Sequence, residues 1–281
     1  MLFCRFFFSI CLISCPMNSP ASISEIITLD SFKQEILRQD GESLVIFDVD
    51  GTLITPKDPF FRDTINLPEN CRSILQHFKM DLFLKEEILK HWNEYWISKI
   101  FMKMEFLTVD PEFSLLVQEL QDRRINTIAI TAITPHSFGL ITSMADWRIK
   151  QLKQLNFDFG LSFKSFSPSL FLLESGNPVF KNGIIFSDTS SKEKALAALL
   201  EAIKWLPSKI VFIDDRMHSL KSVEEMAGKL GIPFAGFLYK GSEILSNSFD
   251  EEIAALRFLH LAEKGEWLTE QEAKDFFEGI L

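Results

Sequence analysis

Residues 45–53 read Val45-Ile46-Phe47-Asp48-Val49-Asp50-Gly51-Thr52-Leu53. The run Ser43–Phe47 is short, apolar and bounded by turn signals, the pattern of a strand buried on both faces of a parallel sheet. It ends in a carboxylate, a second carboxylate follows at position 50, and then come glycine and threonine. The backbone turns outward at the C-terminal end of a parallel strand, where α/β proteins place their ligands. Gly51 gives access to backbone conformations closed to other residues and lets the chain turn tightly beside a substrate. Two carboxylates so close repel each other and stay ionised together only with a cation nearby. Hard oxygen ligands of this kind suit Mg²⁺, which keeps several waters and shares phosphate oxygens of a substrate.

Outward from this stretch, strand-like and helix-like segments alternate. Similar apolar runs occur at Asn126–Thr131, Phe157–Phe163, Lys209–Ile213 and Pro233–Leu238. Between them the periodicity predicts helices from Asp110-Pro111-Glu112 to Arg124, then over Ser143–Leu155, Ser191–Leu206 and Ser219–Leu230. Upstream, Ser22-Ile23-Ser24-Glu25 has the form of a capping box and predicts a helix to about Arg38, ended by Gly41. Strands alternating with helices of this length imply parallel βαβ units and an α/β, doubly wound sheet. The expected core is 22–54 with 109–247. Residues 55–108, rich in Trp, Phe, Met and Lys at helical spacing, read as an inserted helical cap. Two extended runs around Glu174-Ser175-Gly176-Asn177-Pro178 signal a β-hairpin. The tail, 248–281, reads as two acidic amphipathic helices, the second opened by the capping box Thr269-Glu270-Gln271-Glu272.

The string Asp48-Val49-Asp50-Gly51-Thr52-Leu53 after a buried strand resembles the first motif of the haloacid dehalogenase-like (HAD) superfamily, D-x-D-G-T-L. The resemblance implies a Rossmann-like core in which Asp48 is the nucleophile that takes up a phosphoryl group. Asp50 would be the general acid/base, with its backbone carbonyl also on the metal. Three further motifs are then required in order. Ile128-Ala129-Ile130-Thr131 supplies the second, with Thr131 hydrogen-bonding a phosphate oxygen; Thr134 before Pro135 is the competitor. Ser190-Ser191-Lys192-Glu193-Lys194 supplies the third, a lysine that neutralises the phosphoryl oxygens, and the K-x-x-x-L spacing to Leu196 favours Lys192 over Lys194. Lys209-Ile210-Val211-Phe212-Ile213-Asp214-Asp215 supplies the fourth. Two adjacent acids after four apolar residues are a costly core choice without a cation. Asp48, Asp50 and Asp214 would surround Mg²⁺, and Asp215 would hold a metal-bound water or orient Lys192. The competing reading for the fourth motif is a helix N-cap near Ser219.

The implied reaction is Mg²⁺-dependent hydrolysis of a small-molecule phosphate monoester through an aspartyl phosphate. The alternative is a catalytically degenerate HAD-like binding or effector protein, which would bind metal without turnover. His91, Trp92, Tyr95 and Trp96 in the insert are candidates for substrate selection, with ordinary core packing as the competing reading.

Composition sets the outer limits. The 281 residues are 47% hydrophobic and 24% charged, which fits a globular chain. A formal net charge of −10 argues against a nucleic-acid surface, which needs clustered Lys and Arg. Phe is abundant (28) and Tyr scarce (2), pointing to an apolar core without naming a function. The first 21 residues stand apart: Arg5, an apolar stretch from Phe6 to Cys15, then Ser19-Pro20-Ala21 have the tripartite order of a signal peptide. Leu12-Ile13-Ser14-Cys15 also resembles a bacterial lipobox, which would leave Cys15 lipidated and the protein membrane-anchored. Met17 as the true start would instead give a cytoplasmic product. Cys4, Cys11 and Cys15 all lie in this leader, so Cys71 alone would remain afterwards and no internal disulfide framework is expected.

Overall fold

The structure, a computed structural model, describes residues 22–62, 73, 94–161, 163, 170–171 and 178–279. The leader, Cys71, His91, Trp92 and most of the segment Glu174–Pro178 lie outside the described residues.

In chain order the elements are β1 (Ile23–Ile26), α1 (Asp30–Ile36), β2 (Leu44–Asp48), β3 (Ile54–Pro56), α2 (Glu94–Lys103) and β4 (Phe106–Thr108). Next come α3 (Glu112–Asp122), β5 (Asn126–Thr131), α4 (Met144–Gln154), β6 (Leu170–Phe171), β7 (Val179–Lys181) and β8 (Ile184–Phe186). The remainder is α5 (Lys192–Ile203), β9 (Ile210–Asp214), α6 (Met217–Lys229), β10 (Phe234–Tyr239), α7 (Glu251–Lys264) and α8 (Glu270–Glu278).

Every residue of β2 is buried. Its pleat sends Val45 and Phe47 into one apolar cluster and Leu44 and Ile46 into another, which is why the strand reads as an unbroken apolar run. The first cluster receives Phe32 of α1, Phe113 and Leu120 of α3, and Leu152 of α4. The second receives Leu196 and Leu199 of α5 with Leu220 and Val223 of α6. The result is a doubly wound α/β, Rossmann-like core with helices on both faces of one sheet.

The strand order β1-β10-β9-β2-β5-β8-β7-β6 positions the site. From β1 to β8 along this order all pairings are parallel; β8, β7 and β6 pair antiparallel. The chain runs outward from β2 through β5 to β8, then returns to β9 on the other side of β2. That reversal is a topological switch point, where the carboxyl ends of adjacent strands open a crevice. Phe47 pairs with Ile213, so Asp48 and Asp214, one residue further on each strand, meet at its mouth.

Two expectations are corrected. Ser22–Glu25 opens no helix: Ile23–Ile26 is a strand, paired with Gly236–Tyr239 at the sheet edge. Ser22 Oγ donates to Glu224 instead of capping, and the helix begins only at Asp30, whose carboxylate accepts from Thr28 Oγ1 at 3.0 Å. The partner for an open sheet edge outweighs a local cap. Phe157–Phe163 is not a strand either. The place beside β5 is filled by β8, while Phe157 and Phe159 bury in the first apolar cluster and Phe159–Leu161 forms a 3₁₀ turn. The expected hairpin is present: β6 and β7, on either side of Glu174–Pro178, pair antiparallel, and β8 extends the meander. The tight turn is at Asn182-Gly183, both at positive φ (52° and 75°), the Asn-Gly signature of a hairpin.

The ends of the insert are tied to the core. β3 and β4 form a two-stranded antiparallel ribbon, and Lys57 N donates to Glu105 O at 2.9 Å. A third apolar cluster joins Phe60, Phe61 and Ile100 to Ala254, Phe258 and Trp267, so the tail helices pack on the base of the insert. Arg257 locks this contact, donating to Asp58 Oδ2 at 2.5 Å with its guanidinium 4.3 Å from the Trp267 ring centre. Thr269 and Glu272 make both bonds of the capping box. Among the described residues no helix is long and apolar enough to cross a membrane.

Candidate active site

The site begins where β2 ends. After Asp48 the chain folds on itself, with Leu53 N and Ile54 N both donating to Val49 O at 3.0 Å. Gly51 sits at φ 85°, and a Cβ there would lie 2.6 Å from Asp215 Oδ2. Both the conformation and the space require glycine. Thr52 Oγ1 returns to Asp48, donating to Oδ2 at 3.2 Å.

Lys192, the first residue of α5, reaches across the switch point. Its Nζ donates to Asp48 Oδ1 at 2.5 Å and to Asp214 Oδ2 at 2.6 Å. A cation at a helix N-terminus opposes the helix dipole, so its place is set by these carboxylates rather than by the helix. Asp48 and Asp214 are 4% and 0% exposed. Asp214 Oδ1 also accepts from Arg216 N at 2.7 Å, shaping the turn into α6. One oxygen of Asp214 thus holds the turn before the helix while the other faces the lysine, and neither acid caps the helix itself.

Asp48, Asp214 and Asp215 each offer a carboxylate oxygen within 4.8 Å of the others. Burial pushes the Asp48 carboxyl well above the usual range; Lys192 opposes this, and the Asp214 and Asp215 charges add to it. Burial, then the Asp214 charge, push Asp215 up to about 6. Asp215 Oδ1 is buried without a hydrogen-bond donor among the described residues, and Arg216 Nε stands 3.9 Å away. Burial alone would lower the Lys192 pKa, but its two carboxylate partners hold it above the ordinary value. Three clustered carboxylates, two of them sharing one ammonium and the third with an orphaned oxygen, form a donor set that fits a hard divalent cation.

Asp50 stands outside this group. Its Oδ2 accepts from Thr131 Oγ1 at 2.8 Å and its Oδ1 from Arg148 Nη2 at 2.7 Å. The single hydroxyl proton of Thr131 is therefore turned to Asp50. The backbone carbonyl of Asp50 remains the atom that the family resemblance assigns to a metal. Lys192 is held by Asp48 and Asp214 directly, without Asp215. Lys194 and His218 are exposed, and Thr134 accepts from His136 N at 3.4 Å.

Arg148 is the site residue absent from the expectations. It is 3% exposed, and its guanidinium lies 4.7 Å from the Phe106 ring centre and 5.0 Å from that of Trp147. Nη1 donates to Gln151 Oε1 at 3.1 Å, while Nε is buried without a partner among the described residues. The signal was in the helical period: Ala145, Arg148 and Leu152 share the buried face of α4. In the insert, Trp96 packs against the third apolar cluster and Tyr95 is exposed, with Lys99 Nζ 5.1 Å from the Tyr95 ring centre.

Two cavities meet at Asp50. One, about 170 Å³, has the charged and hydroxyl side chains of Asp48, Asp50, Ser187, Ser191, Lys192 and Arg216 in its wall. The other, about 360 Å³, lies between α2 and the core.

Comparison with known proteins places these residues in a family. The family described as "Protein of unknown function (DUF2608)" matches residues 25–274. An uncharacterised protein of Rickettsia prowazekii is 25% identical over 239 residues, 83% of this chain and 82% of that one. A Chlamydia pneumoniae protein named "Putative outer membrane protein" is 23% identical over 238 residues, 84% and 83% of the two chains. Among solved structures, a haloacid dehalogenase-like family hydrolase from Streptococcus pneumoniae aligns over 72% of this chain and 95% of that one, at 13% identity and a TM-score of 0.37. A likeness that low adds nothing to the reading of the site.

Proposed function

The chain belongs to the DUF2608 family, and we propose that it is a Mg²⁺-dependent phosphatase that hydrolyses a phosphate monoester through an aspartyl phosphate on Asp48. One observation carries the reading: two carboxylates two residues apart have been given opposite surroundings. Asp48 lies with Lys192 in the acidic group, whereas Asp50 is held away from it by Thr131 and Arg148. A nucleophile and a proton carrier need that division of environments.

In the first step an Asp48 carboxylate oxygen bonds to phosphorus as the phosphorus–oxygen bond to the leaving alcohol breaks. The electron pair stays on the leaving oxygen, which takes the proton of the Asp50 carboxyl. In the second, a water oxygen bonds to phosphorus, its proton passes to Asp50, and the bond to Asp48 breaks. Inorganic phosphate leaves and both side chains return to their starting forms. Lys192 holds Asp48 in place and offers positive charge to the phosphoryl oxygens. Thr131 and Arg148 fix the two Asp50 oxygens so that the proton is delivered in one direction. Mg²⁺, held by Asp48, Asp214 and the Asp50 carbonyl with Asp215 beside them, would neutralise phosphoryl charge.

The test is turnover of a panel of phosphate monoesters with Mg²⁺ and with EDTA, for wild type and Asp48→Asn. Turnover should require both the metal and Asp48; metal binding without turnover would leave a degenerate binding protein. The proposal includes export, supported by the order of residues 1–21 and the name of the Chlamydia relative. The mass of the mature N-terminus tests that part, including lipidation at Cys15.

A further inference from the structure

Asp50 belongs to the walls of both cavities, and the two differ in chemistry. The smaller contains the nucleophile candidate, the lysine and several serine hydroxyls. The larger is walled by Pro56, Ile97, Ile100, Phe101, Phe106 and Trp147, with Asp50 and Arg148 as its polar end. Phe101 and Trp147 stack with ring centres 5.5 Å apart, and Phe101 stacks again on Phe138 at 5.7 Å, giving that wall a flat aromatic surface.

We infer that the substrate is the phosphate monoester of an apolar alcohol, whose hydrocarbon group fills the larger cavity while its phosphoryl group occupies the smaller. The inference rests on the phosphatase reading and adds the identity of the leaving group. An acid that protonates the leaving oxygen must stand between the phosphoryl site and the leaving-group site, and Asp50 is the carboxylate common to both. A sugar or glycerol group beyond Asp50 would find partners for its hydroxyls only at Asp50 and Arg148 among the side chains of this wall, and would gain little from the rest. A hydrocarbon gains there instead. At ~30 Å³ per non-hydrogen atom, as in liquid water, the space takes about a dozen such atoms. Arg148 closes the polar end, and its guanidinium face is already covered by Phe106 and Trp147, so it presents little charge to the cavity.

The experiment uses n-alkyl phosphates from methyl to octyl, whose leaving alcohols are almost equally basic, together with phenylethyl phosphate and glycerol phosphate. With Mg²⁺, kcat/KM should rise about fourfold per methylene until the cavity is full. Phenylethyl against octyl phosphate separates an aromatic from an aliphatic source of the alcohol. Ile97→Asn, which places an amide in the wall, should reduce the octyl-over-methyl preference about tenfold. Calorimetric binding of the non-hydrolysable n-alkylphosphonates to the wild-type protein should show the same rise in affinity with chain length. Turnover of all esters at one kcat/KM, or preference for glycerol phosphate, overturns the inference and leaves the phosphatase reading standing. Graded phosphonate binding without turnover of any ester overturns the phosphatase reading and retains the apolar site. Flat phosphonate binding without turnover overturns both.

Discussion

Arg148 donates to Asp50 from a side chain that is 3% exposed, while the Asp50 side chain is 44% exposed. The pair is lopsided: water can reach the anion but not the cation. Removing either partner should therefore have unequal effects. Asp50→Ala strands a buried guanidinium whose Nε already has no partner, and should cost about 3 kcal/mol of stability. Arg148→Met keeps apolar packing over Phe106 and Trp147, frees an anion that water can solvate, and should cost about 1 kcal/mol. Chemical denaturation of the two variants checks the order, and equal losses would contradict it.

Lys192 and Lys194 provide the second contrast. Lys192→Met leaves two buried carboxylates without their shared ammonium and should destabilise the protein by about 3–5 kcal/mol. Lys194→Met, on the exposed side of the same helix turn, should stay within about 0.5 kcal/mol of wild type. Phosphatase activity should fall about 100-fold or more in the first variant alone.

Asp48→Asn separates function from stability. Loss of the nucleophile should lower turnover by at least about 10³-fold. Without metal the same change removes one of three crowded negative charges, so the melting temperature in EDTA should rise. A drop in melting temperature together with lost activity would point to a structural role for the carboxylate.

The acidic group also fixes a pH dependence. Asp215 is raised to about 6 and Asp48 is raised as well, so the folded, metal-free protein binds these protons more tightly than the unfolded chain. Stability from these groups is thus highest near pH 4 and declines as pH rises through the interval up to the folded values. For Asp215 the decline is on the order of 2 kcal/mol. In EDTA, Asp215→Asn should match wild type near pH 4 and melt above it at pH 7.5. Mg²⁺ added at pH 7.5 should raise the wild-type melting temperature most. A difference that does not change with pH would sink this account.

The parts of the fold that could be read from sequence are those whose burial leaves a one-dimensional trace. β2, β5, β9 and β10 are covered on both faces or nearly so, and each is an apolar run. Helix α4 begins where Ser143 predicts, its side chain accepting from Asp146 N at 3.1 Å. Edge elements leave weaker traces. β1 is a four-residue strand with two exposed positions, and its identity depends on β10, more than 200 residues away in sequence. Phe157 and Phe159 make their stretch apolar because they cover the sheet rather than join it. The acidic residues of the site were legible because carboxylates directly after apolar runs are costly without a compensating role. Arg148 left a weaker trace: it keeps the register of the buried face with Ala145 and Leu152, but on a polar helix an arginine looks like surface until α4 is packed against Phe106 and Asp50.

The amide of Lys57 meets the carbonyl of Glu105 where the polypeptide leaves the core and comes back. An excursion whose two ends are already neighbours can grow or shrink cheaply, since each doubling of its length adds only about 0.6 kcal/mol of closure entropy. Evolution can therefore trade one excursion for another between these two ends without disturbing the carboxylates at the ends of β2 and β9.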